Sequence, residues 1–167
     1  MRGWVVVLAI ASNGRSVLAD GEKGGMADIP ARSGKLGAEA AIGSATGRGG
    51  SVMLGAAATY VHVMPDLAWY GIQADVLADW DGSSTFSPRW TVGPEFGFAI
   101  LGGDISYYGQ VLDKTVENGV ALRLKLTVGF AAIYLRYGYL PRAEHHSVDF
   151  GAQLKFPFFE SEEKVSF

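Results

Sequence analysis

The chain has 167 residues, of which 49% are hydrophobic, 12% aromatic and 19% charged, enough for one domain with a sizeable core. A charged share below the usual quarter and 23 glycines, about twice the average share, are out of keeping with a soluble helical protein and suit short strands and tight turns. A net charge of −3 with no basic block leaves nothing to attract nucleic acid, and the absence of cysteine removes a disulfide framework, a thiol nucleophile, a Cys-based metal centre and the acylated Cys of a lipoprotein.

Arg2 supplies a short positive start, and the apolar residues 4–11 are of signal-peptide length, too short to span a bilayer as a helix. Ser16, Val17, Leu18 and Ala19 present small or modest side chains where a signal peptidase reads. The expectation is a signal peptide over residues 1–19, cleaved after Ala19; the plainer alternative is a buried first strand or helix. Residues 20–34, with Gly24, Gly25 and Pro30, read as a flexible leader. No later run of about 18 apolar residues predicts a helical membrane span.

From Lys35 the texture changes to about eight short alternating segments, and apolar positions at helical spacing are not sustained. Residues 36–43 and 52–63 are the first two, with weak alternation. In the third, Tyr70, Ile72, Ala74, Val76, Ala78 and Trp80 oppose Gly71, Gln73, Asp75, Leu77 and Asp79. In the fourth, Trp90, Val92, Pro94, Phe96, Phe98 and Ile100 oppose Arg89, Thr91, Gly93, Glu95, Gly97 and Ala99. Pro94 within a strand calls for an edge or a bulge. Residues 104–112 are the fifth. The sixth is the cleanest: Val120, Leu122, Leu124, Leu126, Val128 and Phe130 against Ala121, Arg123, Lys125, Thr127 and Gly129. Residues 133–140 are the seventh. The last sets Val148, Phe150, Ala152, Leu154, Phe156 and Phe158 against Asp149, Gly151, Gln153 and Lys155. A strand turns successive side chains to opposite faces, so each segment has an apolar side and a polar one.

Four features point the apolar side outward, to lipid. The polar faces gather Glu39, Asp75, Asp79, Glu95, Asp104 and Asp149 with Arg89, Arg123, Lys125, Arg136 and Lys155, a near balance that suits a closed lumen of paired ions. Segments of about 9 to 13 residues match tilted membrane strands, which need about 9–11. Connections are expected to alternate between short (residues 64–66, 101–103 and 131–132) and longer, more polar ones (81–87, 113–119 and 141–146), the habit of outer-membrane barrels. Aromatic residues gather at the segment ends: Trp80, Trp90, Tyr137 and Tyr139 toward the long loops, and Trp69, Tyr70, Phe96, Tyr107, Phe130, Phe156 and Phe158 toward the short turns. Ordinary core aromatics are the plainer explanation of that last feature. The expected fold is all-β: an eight-stranded antiparallel up-and-down transmembrane β-barrel over residues 35–158, with a polar, side-chain-filled interior and a tail over 159–167.

The last segment, residues 149–156, reads polar–x–Gly–x–x–apolar–x–aromatic through Asp149, Gly151, Leu154 and Phe156. It resembles the C-terminal signal by which outer-membrane barrels are recognised for assembly, although residues 157–167 follow where that family ends on the aromatic. With the strand pattern, residues 35–158 resemble the small eight-stranded outer-membrane proteins of the OmpA-transmembrane-domain and OmpX type. The resemblance implies a bacterial outer membrane of Gram-negative type, insertion by a barrel-assembly machine, contact with outer-membrane lipid and lipopolysaccharide, a plugged lumen and loops facing outward. A fold of this kind does not carry a function with it.

Candidate chemistry is sparse. His145-x-Ser147, beside Glu144 and Asp149, invites a hydrolase reading with His145 as base and Ser147 as nucleophile. The pair is similar to the His-x-Ser of the outer-membrane lipid A 3-O-deacylase, but the Asn that follows there is Val148 here. Exposed loop residues are the plainer reading. Adjacent His145 and His146 point to opposite faces of a strand and would not chelate a metal together; no metal and no cofactor are expected. Residues 43–50 look glycine-rich but lack the Lys-Ser/Thr ending of a phosphate loop and read as a flexible outer loop. With about eleven long ionic side chains inside, an eight-stranded barrel has little room for an open pore. The functional expectation is a structural or surface-interaction barrel. A lipid-modifying hydrolase and a soluble lipocalin-like periplasmic carrier with its apolar faces inward are the alternatives, and oligomeric state is left open.

Overall fold

The computed structural model describes residues 29–47, 49–82 and 86–165; the expected signal peptide and residues 20–28 of the expected leader lie outside them. The strands are β1 (Ile29–Pro30), β2 (Arg32–Ala45), β3 (Gly49–Val63), β4 (Ala68–Trp80), β5 (Phe86–Phe98), β6 (Leu101–Leu112), β7 (Thr115–Val128), β8 (Ala131–Leu140), β9 (His145–Glu160) and β10 (Lys164–Val165), with one 3-10 turn at Pro141–Ala143. Strands β2 to β9 form a closed antiparallel up-and-down barrel in which β9 pairs back onto β2; β1 and β10 form a separate two-stranded sheet.

The strands run further than the hydropathy pattern suggests, and this corrects the expected loops. At one end the connections are residues 46–48, 81–85, 113–114 and 141–144; at the other they are 64–67, 99–100 and 129–130. The alternation of long and short connections is therefore largely absent. Residues 113–119, read as a loop, are a two-residue turn followed by strand: Glu117, Asn118 and Gly119 stay on the ladder opposite Gln110, Gly109 and Tyr108. Asp113 and Lys114 make that turn with φ of 48° and 70°, the left-handed pair that matches strand twist in a tight hairpin. Gly43 to Ala45 and Gly49 to Gly50, read as loop, belong to β2 and β3. The first barrel strand starts at Arg32 and the last ends at Glu160, so both expected boundaries move outward.

The register sets the shape. From Leu36 the paired residues run Ala58, Ala74, Val92, Tyr107, Val120, Tyr139 and His146. The Thr46 amide then donates to the His146 carbonyl at 2.9 Å, ten residues along β2 from the start. A stagger of that size over eight strands gives a tilt of about 40°. A 12-residue strand then climbs about 30 Å, the thickness of a bilayer's hydrocarbon.

Two prolines sit where backbone donors are not needed. Pro94 keeps its pairing with Ile72 on β4, while the β5–β6 ladder is interrupted at Gly93 and Pro94 without a change of register. The strand is thus neither an edge nor bulged there. On β9, the Lys155 amide donates to the Phe130 carbonyl at 2.8 Å, and β8 begins only at Ala131, opposite Leu154. Alternate residues present their amides to the same side, so Pro157 places its missing N–H toward the stretch of β9 that β8 does not cover.

Candidate functional site: the ion-paired lumen

Alternation along eight strands sends the odd-numbered side chains of β2, β3, β4, β5, β7 and β9 into the barrel. The even-numbered ones of β6 and β8 join them, because the short turns shift their phase. Three guanidinium groups organise the middle. Arg123 donates to Asp75 and to Thr91 Oγ1 (3.0 Å), and its Nε lies 3.3 Å from Asp104 Oδ2. Arg136 donates through Nε to Asp149 Oδ2 (2.9 Å) and through Nη1 to Asp75 Oδ1 (3.3 Å). Arg89 Nη2 is 2.9 Å from the same Asp149 oxygen, and its Nη1 is 4.0 Å from Asp79 Oδ2. Glu39 Oε1 lies 3.8 Å from Arg123 and 3.9 Å from Arg136, and its other oxygen accepts from Gln153 Nε2 at 2.8 Å. The Tyr134 ring faces both cations, 4.9 Å from the Arg123 guanidinium carbon and 5.6 Å from that of Arg136, a contact that adds cation–π attraction.

Toward the end of the barrel that holds β1 and β10, Lys125 pairs with Glu95 and lies 3.6 Å from Asp104 Oδ2. Lys155 donates to Gln73 Oε1 at 3.2 Å, an oxygen that also accepts from Lys125. Ten of the eleven charged residues singled out from the sequence thus form one connected chain of ion pairs, and Lys155 joins it through an amide. All eleven are buried. Isolated, any one of these charges would suffer a desolvation penalty of several kcal/mol; shared among opposite charges and amides, the penalty is offset.

Other lumen residues lie outside the charge network expected from the sequence. Lys35 stands on the same face of β2 as Glu39, two turns of the pleat away, and parity alone would have found it. Gln73, Gln153 and Thr91 are neutral partners that bridge the charges. Trp69, expected in an outer belt, points inward instead: its ring lies against Gly97 and Gly102, its Nε1 donates to the Ala99 carbonyl at 3.1 Å, and Lys125 Nζ stands 5.9 Å from its centroid. A Cβ on either glycine would come within 2.3 Å of that ring, so the two glycines make room for the plug.

His145 and Ser147 are both buried and both lumen-facing, two residues apart on β9. Ser147 Oγ makes no hydrogen bond, so no base is seated on the proposed nucleophile, and the wall shields it from lipid. His146 points outward, where it stacks on Tyr139 (4.6 Å between centroids) and shares a 2.7 Å hydrogen bond with the Tyr137 hydroxyl through Nδ1. Among the described residues no group of three or more His, Asp or Glu side chains could hold a metal ion.

The outer wall is the complement of the lumen. Apart from Arg32 and Glu160 at one rim, no outward position described on β2 to β9 carries a Lys, Arg, Asp or Glu. Ile42, Leu54, Ile72, Val76, Ile105, Leu122, Leu124, Leu135 and Phe150 are each more than half exposed. A soluble carrier would show the reverse facing, apolar inside and ionic outside. Aromatic rings mark both ends of this wall: Trp80 with Phe86, and Tyr137 with Tyr139, at one end; Phe130 stacked on Phe156, and Tyr70 against His62, at the other. Tyr107 belongs nearer the first group than expected, since its hydroxyl donates to Asn118 beside the β6–β7 turn.

No protein-family model matches the chain, and no curated protein matches it significantly. Among solved structures it is similar to a de novo designed transmembrane β-barrel, with a TM-score of 0.52 and 20% identity over 77% of this chain and 100% of that one. Another similar structure is Neisserial surface protein A (NspA), with a TM-score of 0.49 and 14% identity over 75% of this chain and 99% of that one. The fold is that of a small eight-stranded transmembrane β-barrel.

Proposed function

We propose that the chain is a non-catalytic bacterial outer-membrane barrel of the OmpA-transmembrane-domain and OmpX type, held in lipid by its wall and closed to permeation by its lumen. The observation that carries this is a wall uncharged between its rims around an ion-paired interior: in water the wall would be a very large exposed apolar patch, whereas in hydrocarbon it is solvated and the closed sheet pairs its strands all the way round. Its partners on this reading are outer-membrane lipid and lipopolysaccharide, with barrel-assembly machinery acting on Asp149, Gly151, Leu154 and Phe156 during insertion. The end that carries β1 and β10 faces the periplasm. Connections of two to five residues offer far less than the roughly 800 Å² per partner of a standard protein interface, so the role is structural rather than loop-mediated recognition. Cell fractionation with gel migration before and after boiling tests it. The protein should partition with outer membranes, and its unboiled form should migrate differently from the boiled one; recovery in the soluble periplasmic fraction contradicts the proposal.

A further inference from the structure

Seven of the eight neighbouring strand pairs in the barrel are consecutive in the chain; the β2–β9 pair, which closes it, is not. That seam brings together residues more than a hundred positions apart, so no connecting turn holds it, only backbone hydrogen bonds, packing and side-chain contacts such as Gln153 Nε2 to Glu39. It also contains the one register shift among the described barrel pairings, between Gly34 and Lys35, where Pro157 pairs with Lys35 and Phe159 with Gly34. The skipped Phe158 lays its ring on Gly34, close enough that a Cβ there would come within 2.7 Å of it.

Beyond this weak point the pairing resumes, outside the barrel proper. The Ser161 amide donates to the Arg32 carbonyl at 2.9 Å, and the Arg32 amide donates back to Ser161 Oγ at 3.0 Å. Ser161 Oγ in turn donates to the Glu163 carbonyl at 3.0 Å, which fixes the bend after β9. The Ala31 amide then donates to Glu163 O at 2.8 Å, and the Ala31 carbonyl accepts from Val63 on β3 at 2.8 Å. Pro30 pairs with Lys164 and Ile29 with Val165. Pro30, Ala31 and Val165 are buried, unlike a loose tail.

We infer that residues 161–165 and 29–32 are a latch, which holds the closing seam shut past its bulge and ties the segments flanking the barrel to each other. The tail expected over residues 159–167 is, on this inference, part of how the barrel stays closed. It acts on one seam, so its loss should be felt at β2 and β9 before the rest of the barrel.

The test is hydrogen exchange by mass spectrometry on the folded protein in detergent. Deleting residues 161–167 should raise exchange at amides of residues 36–42 and 150–156 by about tenfold, with β5 and β6 unchanged, as local opening of one unit predicts. Unchanged exchange at the seam, or an equal rise around the whole barrel, overturns the inference. A second variant covers the case in which the deletion fails to fold. The chain has no cysteine, and Ile29 and Val165 are register partners at a spacing a disulfide can bridge. The double substitution Ile29→Cys and Val165→Cys should crosslink under mild oxidation and slow exchange at the seam relative to its reduced form. Failure to crosslink, or equal exchange in the two forms, counts against the latch.

Discussion

Arg123 is 2% exposed and Leu124 71% exposed, although one peptide bond separates them, because successive side chains of a strand leave on opposite faces. Their substitutions should therefore fail in different ways. Leu124→Arg puts a charge near the middle of the wall, which costs about 2–4 kcal/mol in lipid, and should lower the yield of folding into lipid vesicles. Arg123→Leu should insert, yet leave Asp75, Asp104 and Glu39 short of a cation; breaking a buried pair on one side costs about 3–5 kcal/mol, read as a lower denaturant midpoint of the inserted protein. Equal behaviour of the two variants in both assays contradicts the assigned facing. The charged side chains of the lumen are legible in sequence because each falls on the polar parity of its own strand. Trp69 is not: its place among apolar neighbours hides that it occupies an inward position, and only the facing glycines, Gly97 and Gly102, two strands' length away in sequence, mark where its ring goes.

Hairpin turns and strand edges decide how the elements meet. Lys114 holds a φ of 70°, which costs a residue with a Cβ roughly 1 kcal/mol or more and glycine almost nothing. Lys114→Gly is expected to raise the unfolding midpoint of the barrel in detergent, by about 1 kcal/mol of stability; a fall in the midpoint speaks against the turn geometry. Pro157 has the opposite task. It withholds a donor from the stretch of β9 that extends past β8, a common guard on an exposed edge. Pro157→Val should leave the barrel folded but increase concentration-dependent association, seen by light scattering or crosslinking. Strand faces were legible in the sequence, strand ends were not. Val116, Glu117, Asn118 and Gly119 have the composition of a loop, but the β6 backbone pairs with them regardless; hydrogen bonding to a neighbour is indifferent to polarity, and at a barrel rim a polar side chain meets water whether its backbone is paired or not. The same holds at residues 43–45 and 49–50. The β1–β10 pairing had no signal at all, being two residues a side.

At the scale of the molecule, one inversion organises everything else: ions converge on the axis while aliphatic and aromatic side chains face away from it, with a tilt near 40° that sets the height. The inversion separates a barrel that sits in hydrocarbon from one that carries a hydrophobic cargo in water, since both are closed sheets with alternating strands. The most direct measurement is spin-label accessibility along β7 in lipid vesicles, with single cysteines placed in turn at residues 120–126 of the cysteine-free chain. Labels at 120, 122, 124 and 126 should collide with oxygen dissolved in the bilayer, and those at 121, 123 and 125 should be shielded from it. The opposite phase, or no two-residue period at all, contradicts the account.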